Sequence, residues 1–229
     1  SVKPSDVKRQ RFYQMKEQEN TNVYCLMSQF RCRGGNSYIK YIKELLSDHP
    51  PRTAKTIENY EFRLFEDVND MVNAIRSKDE EHGLCRVVAG YSWKWLSKKT
   101  KDRNDIFIDG YAYMWNSVNK DWVNSENAIN EIGCIHTVQG YDLNYAGVIL
   151  GNEIKYDPQT KSISIDKKNY FDLQGKTSLE DEGALKSYII NIYLTLLTRG
   201  IKGTYVYACD ENLRNYLKKF IPLYQHYNL

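Results

Sequence analysis

No stretch of this sequence comes near the ~18 uncharged apolar residues that a helix needs to cross a bilayer, and the opening Ser1-Val2-Lys3-Pro4-Ser5 holds no apolar signal-peptide core. A cytoplasmic protein is therefore expected. Cysteine pairing is missing too. The five cysteines, at positions 25, 32, 85, 134 and 209, are odd in number and scattered, with no C-x-x-C pair and no histidine at zinc-ligand spacing. A disulfide framework and a zinc finger are thus excluded, and no metal is expected. Cys25, Cys85, Cys134 and Cys209 sit in or beside apolar runs, where a reduced cysteine behaves as a small hydrophobe. Surplus charge is also scarce. A net charge of +3 falls well short of the basic balance of a protein that holds nucleic acid by charge alone, so any such contact must be local.

What is present is the composition of a folded domain. The 229 residues are 41% hydrophobic and 27% charged, enough for one large core or two small ones. Nineteen tyrosines and four tryptophans suit base stacking and core filling alike. Residues 1–22 read as a mixed-charge helical lead-in, continuing something upstream. From Val23 onward the chain alternates. Val23-Tyr24-Cys25-Leu26-Met27 has strand character, and Asn36 to Leu46 carries apolar residues at helical spacing until Pro50-Pro51 ends it. Glu61 to Phe65 predicts a strand, Val68 to Arg76 a helix, and Leu84 to Gly90 a buried strand.

Residues 91–130 are rich in Trp, Lys and Asn with weak periodicity, which predicts an insertion or a long surface excursion over the sheet. Ile132 to Ile135 and Ala146 to Leu150 are further strand-length runs. A polar, alternating stretch from Lys155 to Tyr170 predicts a hairpin inside an insertion near 152–180. Gly183 to Leu197 predicts a long helix with Leu185, Ile189, Ile192 and Leu196 on one face, followed by a strand from Lys202 to Cys209 and a closing helix from Asn212 to Phe220. Strands alternating with helices predict a doubly wound, mostly parallel α/β sheet over 23–229.

In such a sheet ligands collect at the carboxyl ends of strands, so polar clusters after strand runs are the first candidates. Three qualify: Ser28-Gln29-Phe30-Arg31, then His136-Thr137-Val138-Gln139-Gly140-Tyr141-Asp142, then Leu197-Thr198-Arg199-Gly200 at the end of the long helix. In that order and near those spacings they resemble motifs IV, V and VI of superfamily 1 helicases of the UvrD/Rep type. A closer resemblance is to the Schlafen-like DNA/RNA helicase family, through Gln-Phe-Arg-Cys at 29–32, Ala-Gly-Tyr-x-Trp at 89–93, Ile-His-Thr-Val-Gln-Gly at 135–140 and Leu-Leu-Thr-Arg-Gly at 196–200. It runs from about residue 23 to 220. Two positions depart from the UvrD pattern: Gln139 stands for the usual lysine of motif V and Asp142 for glutamate.

The resemblance implies a RecA-like domain, the second half of a helicase motor. Arg31 and Arg199 would be the catalytic residues, reaching ATP held on an upstream domain. An arginine brought in from a neighbouring domain can stabilise the charge that develops during phosphoryl transfer, and its planar fork stays charged. Gln29, Gly140, Asp142 and Thr198 would also face ATP, Asp142 through the ribose. Asp142 stands equally well where it would cap a short helix starting near Gln139. His136 and Thr137 would contact single-stranded DNA or RNA. Trp93 and Trp95, with Lys94, Lys98 and Lys99 beside them, have the makings of a stacking and phosphate-holding surface or of packed core.

The phosphate cradle itself is absent. No G-x-x-x-x-G-K-[ST] occurs, and Gly34-Gly35-Asn36-Ser37 lacks both the lysine and the spacing. Glu80-Glu81 precedes its strand rather than following it. ATP and Mg2+ are therefore expected only together with the upstream domain, and this chain alone should neither bind ATP tightly nor hydrolyse it. A degenerate helicase-like module that binds nucleic acid or protein without ATP chemistry is the alternative. A metal-dependent nuclease would need clustered carboxylates, and Asp157, Asp166 and Asp172 lie in a polar stretch without an adjacent histidine in sequence.

Overall fold

The computed structural model describes residues 9–22, 31–98, 100, 103–172 and 182–225. The expected strand at 23–27, with Gln29, lies outside them. Five strands build one parallel sheet: β1 (Glu61–Leu64), β2 (Arg86–Ala89), β5 (Ile132–Cys134), β6 (Leu143–Leu150) and β9 (Gly200–Ala208). Their order is β1-β9-β6-β2-β5, and every pairing is parallel. The fold is thus the α/β class read from the sequence, consistent with a RecA-like domain. β2 is buried at all four positions, as a strand covered on both faces must be, which is why Val87-Val88-Ala89 reads as a continuous apolar run rather than an alternating one.

Helices cover both faces. One layer holds α2 (Gly35–Leu45), α5 (Glu182–Leu197) and α6 (Glu211–Leu217), whose Tyr38, Tyr41, Ile189, Tyr193, Leu196 and Leu213 share a core with Phe62, Val88 and Val206. Leu185, Ile189, Ile192 and Leu196 are all buried, so the apolar stripe of α5 does face the sheet. The other layer holds α3 (Val68–His82), where Met71 and Ile75 pack on Val87, Ile149 and Tyr205. The Asp67 carboxylate caps α3 by accepting from Asn69 N–H at 2.8 Å and Asp70 N–H at 3.0 Å, and Gly83, at φ +65°, ends it six residues beyond the expected Arg76. The lead-in helix α1 (Arg9–Lys16) is exposed at its described positions.

The stretch 91–130, read from sequence as an insertion or surface excursion, carries a hairpin, β3 (Ile106–Ile108) with β4 (Tyr111–Tyr113), turned by Asp109 and Gly110, both at positive φ. It contributes its own buried layer through Trp93, Ile106, Trp115 and Trp122. Gly133 in β5 shows how tightly: a Cβ there would stand 2.3 Å from the Trp122 ring. The expected second hairpin is present as β7 (Ile154–Asp157) and β8 (Ser162–Ile165). No helix among the described residues is long and apolar enough to cross a membrane.

Candidate functional site

β6 and β9 extend beyond β2 at their amino ends, where Leu143 pairs with Gly200 and its N–H donates to the Arg199 carbonyl at 3.0 Å. Asp142 and Arg199, each one residue before its strand, are thereby set side by side. Gly200 permits the approach, since a Cβ there would lie 2.0 Å from the Gly203 carbonyl oxygen. The third member comes from far upstream. The Arg33 N–H donates to the Ile201 carbonyl at 2.9 Å, tying segment 31–33 to β9, and Arg31 Nε reaches Asp142 Oδ1 at 2.7 Å.

Two guanidinium groups share one carboxylate. Arg31 and Asp142 are each a little under half exposed, while Arg199 is 6% exposed. Among the described residues the Arg199 fork donates to carbonyls alone, Nε to Thr195 at 3.2 Å and Nη1 to Tyr141 at 3.3 Å. Burial, then repulsion from Arg31, holds its pKa below the ordinary arginine value, and Asp142 only partly reverses this. An incoming anion would relieve that desolvated charge. Gly140, at φ +99°, supplies a turn that side-chain-bearing residues rarely adopt. Thr198 turns its hydroxyl inward to the Thr195 carbonyl at 3.0 Å. The helix expected near Gln139 instead runs from Ile135 to Val138 (α4), and Gln139 closes it, so Asp142 caps no helix among the described residues and pairs with Arg31.

Arg199 stands where the sequence reading put it, between the long helix and the strand that follows, at the amino end of β9; Asp142, at the far end of the cluster that follows β5, stands at the amino end of β6. His136 stays near the carboxyl end of β5. Cys134 is level with Ala89 and through it with Ile149, six residues beyond Leu143 along β6, a span of about 20 Å at strand spacing. α4 and the turn at 139–142 cross that span, linking the two ends of the sheet.

At the far end His136 is exposed, with its ring 5.8 Å from Tyr91 and Nε2 4.0 Å from Asp172 Oδ2. Tyr91, which follows Gly90 at the end of β2 and was not singled out from sequence, also neighbours Trp95 at 6.1 Å and Trp115 at 5.6 Å. Lys98 Nζ sits 4.0 Å from the Trp95 ring centroid, and Lys94 lies 5.8 Å from that of Phe171. Lys99 lies outside the described residues. Two of the residues expected to face a strand are buried. Thr137 is 4% exposed and donates its hydroxyl to the Cys134 carbonyl at 3.0 Å; Trp93 is 8% exposed and packs edge-on against Trp115. Neither has surface to offer a strand, whereas His136 and Trp95 do.

Among the described residues no three His, Cys, Asp or Glu side chains gather as metal ligands. Asp157 is spent on its own turn, Asp166 on Lys155 and the Lys168 N–H, and Asp172 accepts from the Tyr170 hydroxyl.

Residues 2–210 match the Schlafen group 3, DNA/RNA helicase domain. The chain is also 30% identical over 230 residues to Uncharacterized protein YPL245W of Saccharomyces cerevisiae, a similarity covering 90% of this chain and 50% of that protein. It thus spans about half the length of the curated relative it matches. Matched over most of its length, and carrying the α/β sheet expected of such a domain, the chain belongs to the Schlafen group 3 DNA/RNA helicase domain family.

Proposed function

We propose that the chain is the second motor domain of an ATP-dependent nucleic-acid helicase or translocase, acting with an upstream ATP-binding domain of the same protein. The observation that carries this reading is the convergence of Arg31, Asp142 and Arg199, from three distant segments, at the amino ends of β6 and β9. Two forked donors there share a single carboxylate, a donor set that fits phosphoryl oxygens. The chain offers no glycine-rich cradle, so the remaining phosphate contacts fall to the other domain.

In this reading Arg31 and Arg199 stabilise charge developing on the transferred phosphoryl oxygens, an effect of about 10³–10⁵ in rate where one arginine has been removed from comparable enzymes. Asp142 orients Arg31 and holds the two guanidinium groups together against their repulsion. ATP hydrolysis supplies the free energy for stepping. The exposed His136 and the partly buried Trp95, with Lys98, hold single-stranded DNA or RNA, while Trp93 and Thr137 buttress them from the core. α4 and the turn after it join that surface to the arginines, so closure of the interdomain cleft shifts the grip on the strand.

The test is nucleic-acid-stimulated ATPase activity of the full-length protein against its Arg199→Ala variant, with nucleotide binding measured separately. A rate loss of about a thousandfold or more with binding retained is expected. Absence of ATPase activity, or an unchanged rate in Arg199→Ala, removes the motor reading and leaves a helicase-like module that binds nucleic acid or protein without ATP chemistry.

A further inference from the structure

The amino end of the sheet carries a second basic feature, on the α3 side of β1 and β9. A pocket of about 460 Å³ opens there, within the size range of small-ligand sites. Arg33, Lys55, Arg63 and Lys202 line it, and its one carboxylate, Glu61, is already engaged. Glu61 accepts from the Tyr205 hydroxyl at 2.8 Å and faces Lys78 Nζ at 3.4 Å. Lys55 has Glu44 at 4.0 Å, but among the described residues Arg33, Arg63 and Lys202 enter no ion pair.

One of these cations is held in place. Lys202 Nζ lies 3.1 Å from His82 Nδ1. An ammonium can only donate, so Nδ1 accepts and the ring proton sits on Nε2, which faces Glu81 at 3.3 Å. The imidazole is stacked on Tyr145, with centroids 5.4 Å apart and planes 10° apart. Glu81, His82 and Tyr145 together aim a lysine that would otherwise sweep through solvent, lowering the ordering cost when it meets a ligand. Arg33 is anchored through its own N–H on Ile201. A second hollow of about 480 Å³ shares Thr56, Glu61, Arg63 and Pro222 with the first, which gives room for an elongated ligand.

We propose that this pocket is a phosphate-binding site, separate from the Arg31–Asp142–Arg199 cluster, that takes phosphate esters on Arg33, Arg63 and Lys202. It stands independently of the motor reading. The chemistry is common to two sources, a small free phosphate compound and the backbone phosphates of a nucleic-acid strand. Cations lacking carboxylate partners, converging on one concavity, match phosphate oxygens better than any neutral or cationic ligand.

Calorimetric titration of the chain with inorganic pyrophosphate tests the site, using an Arg63→Gln/Lys202→Gln double variant and a control at the exposed Lys168, Lys168→Gln. Saturable 1:1 binding is expected, weakened at least tenfold in the double variant and unchanged in the control. A single-stranded oligonucleotide that displaces pyrophosphate identifies strand phosphates as the source; failure to displace it identifies a small phosphate compound. His82→Phe, which keeps the stacked ring and releases Lys202, should weaken binding several-fold and serves if the double variant is unfolded. No binding, binding equal in wild type and folded variants, or binding abolished by Arg199→Gln alone would each overturn the proposal.

Discussion

Two arginines of this protein are almost equally buried, Arg86 at 7% and Arg199 at 6%, yet their surroundings predict opposite responses to removal. Arg86 donates Nε to the Val123 carbonyl at 2.9 Å and Nη1 to both Asp79 Oδ1 at 2.9 Å and the Cys85 carbonyl at 2.8 Å. Substituting Met, close in volume but uncharged, strips these bonds and leaves Asp79 without its cation. Breaking a buried pair from one side costs ~3 kcal/mol at the lower end, which suits Asp79 because it is partly exposed. At ~2–4 °C per kcal/mol for a domain of this size, Arg86→Met should lower Tm by ~6–12 °C.

Arg199→Met removes two bonds to carbonyls at the long end of the distance range, each contributing about 0.5 kcal/mol. Against that loss stand the relief of a desolvated charge and of its repulsion with Arg31. The balance should lie within ~1 kcal/mol of wild type, with a Tm shift of no more than ~4 °C in either direction. Thermal and urea denaturation of the two variants side by side supply the measurement. If Arg199→Met collapses as far as Arg86→Met, Arg199 is a structural arginine, and its poorly compensated charge is no sign of an anion site.

Glu153 gives a pH prediction. It is fully buried, accepts from the Ser92 and Tyr193 hydroxyls, and has its pKa raised by burial above the ordinary value near 4.5. Its protonated form is favoured by the fold, so its contribution is fully present below pH ~4.5 and declines as pH rises from there through the folded pKa. Glu153→Gln cannot ionise and should gain stability relative to wild type across that rise; a difference in urea midpoint that is flat with pH refutes this. At the other surface, Trp95→Ala should weaken single-strand binding by about 1–3 kcal/mol, the range for one base–aromatic stack, whereas Trp115→Phe should leave affinity unchanged apart from stability. Fluorescence anisotropy with a labelled oligonucleotide separates the two, and an unaltered Kd for Trp95→Ala removes that ring from the interface.

The central strands were legible because burial on both faces demands continuous apolar runs, as in Val87-Val88-Ala89 and Val148-Ile149-Leu150, and α5 because its stripe repeats at helical spacing. The stretch 91–130 was not. Its buried tryptophans are spaced by the needs of a local layer rather than by any strand or helix period, and the same composition suits a loop. Arg31, Asp142 and Arg199 were readable as candidates only through the motif order. Their meeting at the amino ends of β6 and β9 depends on how far those strands outrun β2, a matter of register that no local pattern encodes. The pocket on the α3 side was invisible for a related reason: Arg33, Arg63, His82 and Lys202 belong to four different segments, each unremarkable by itself.

The hydrogen bond from Arg33 N–H to the Ile201 carbonyl fastens the segment carrying Arg31 onto the strand that Arg199 introduces. The two guanidinium groups are therefore held in one frame, so that in the motor reading proposed above a displacement of one would carry the other with it. Loosening that one backbone bond would uncouple their positions while leaving every charge in the protein intact.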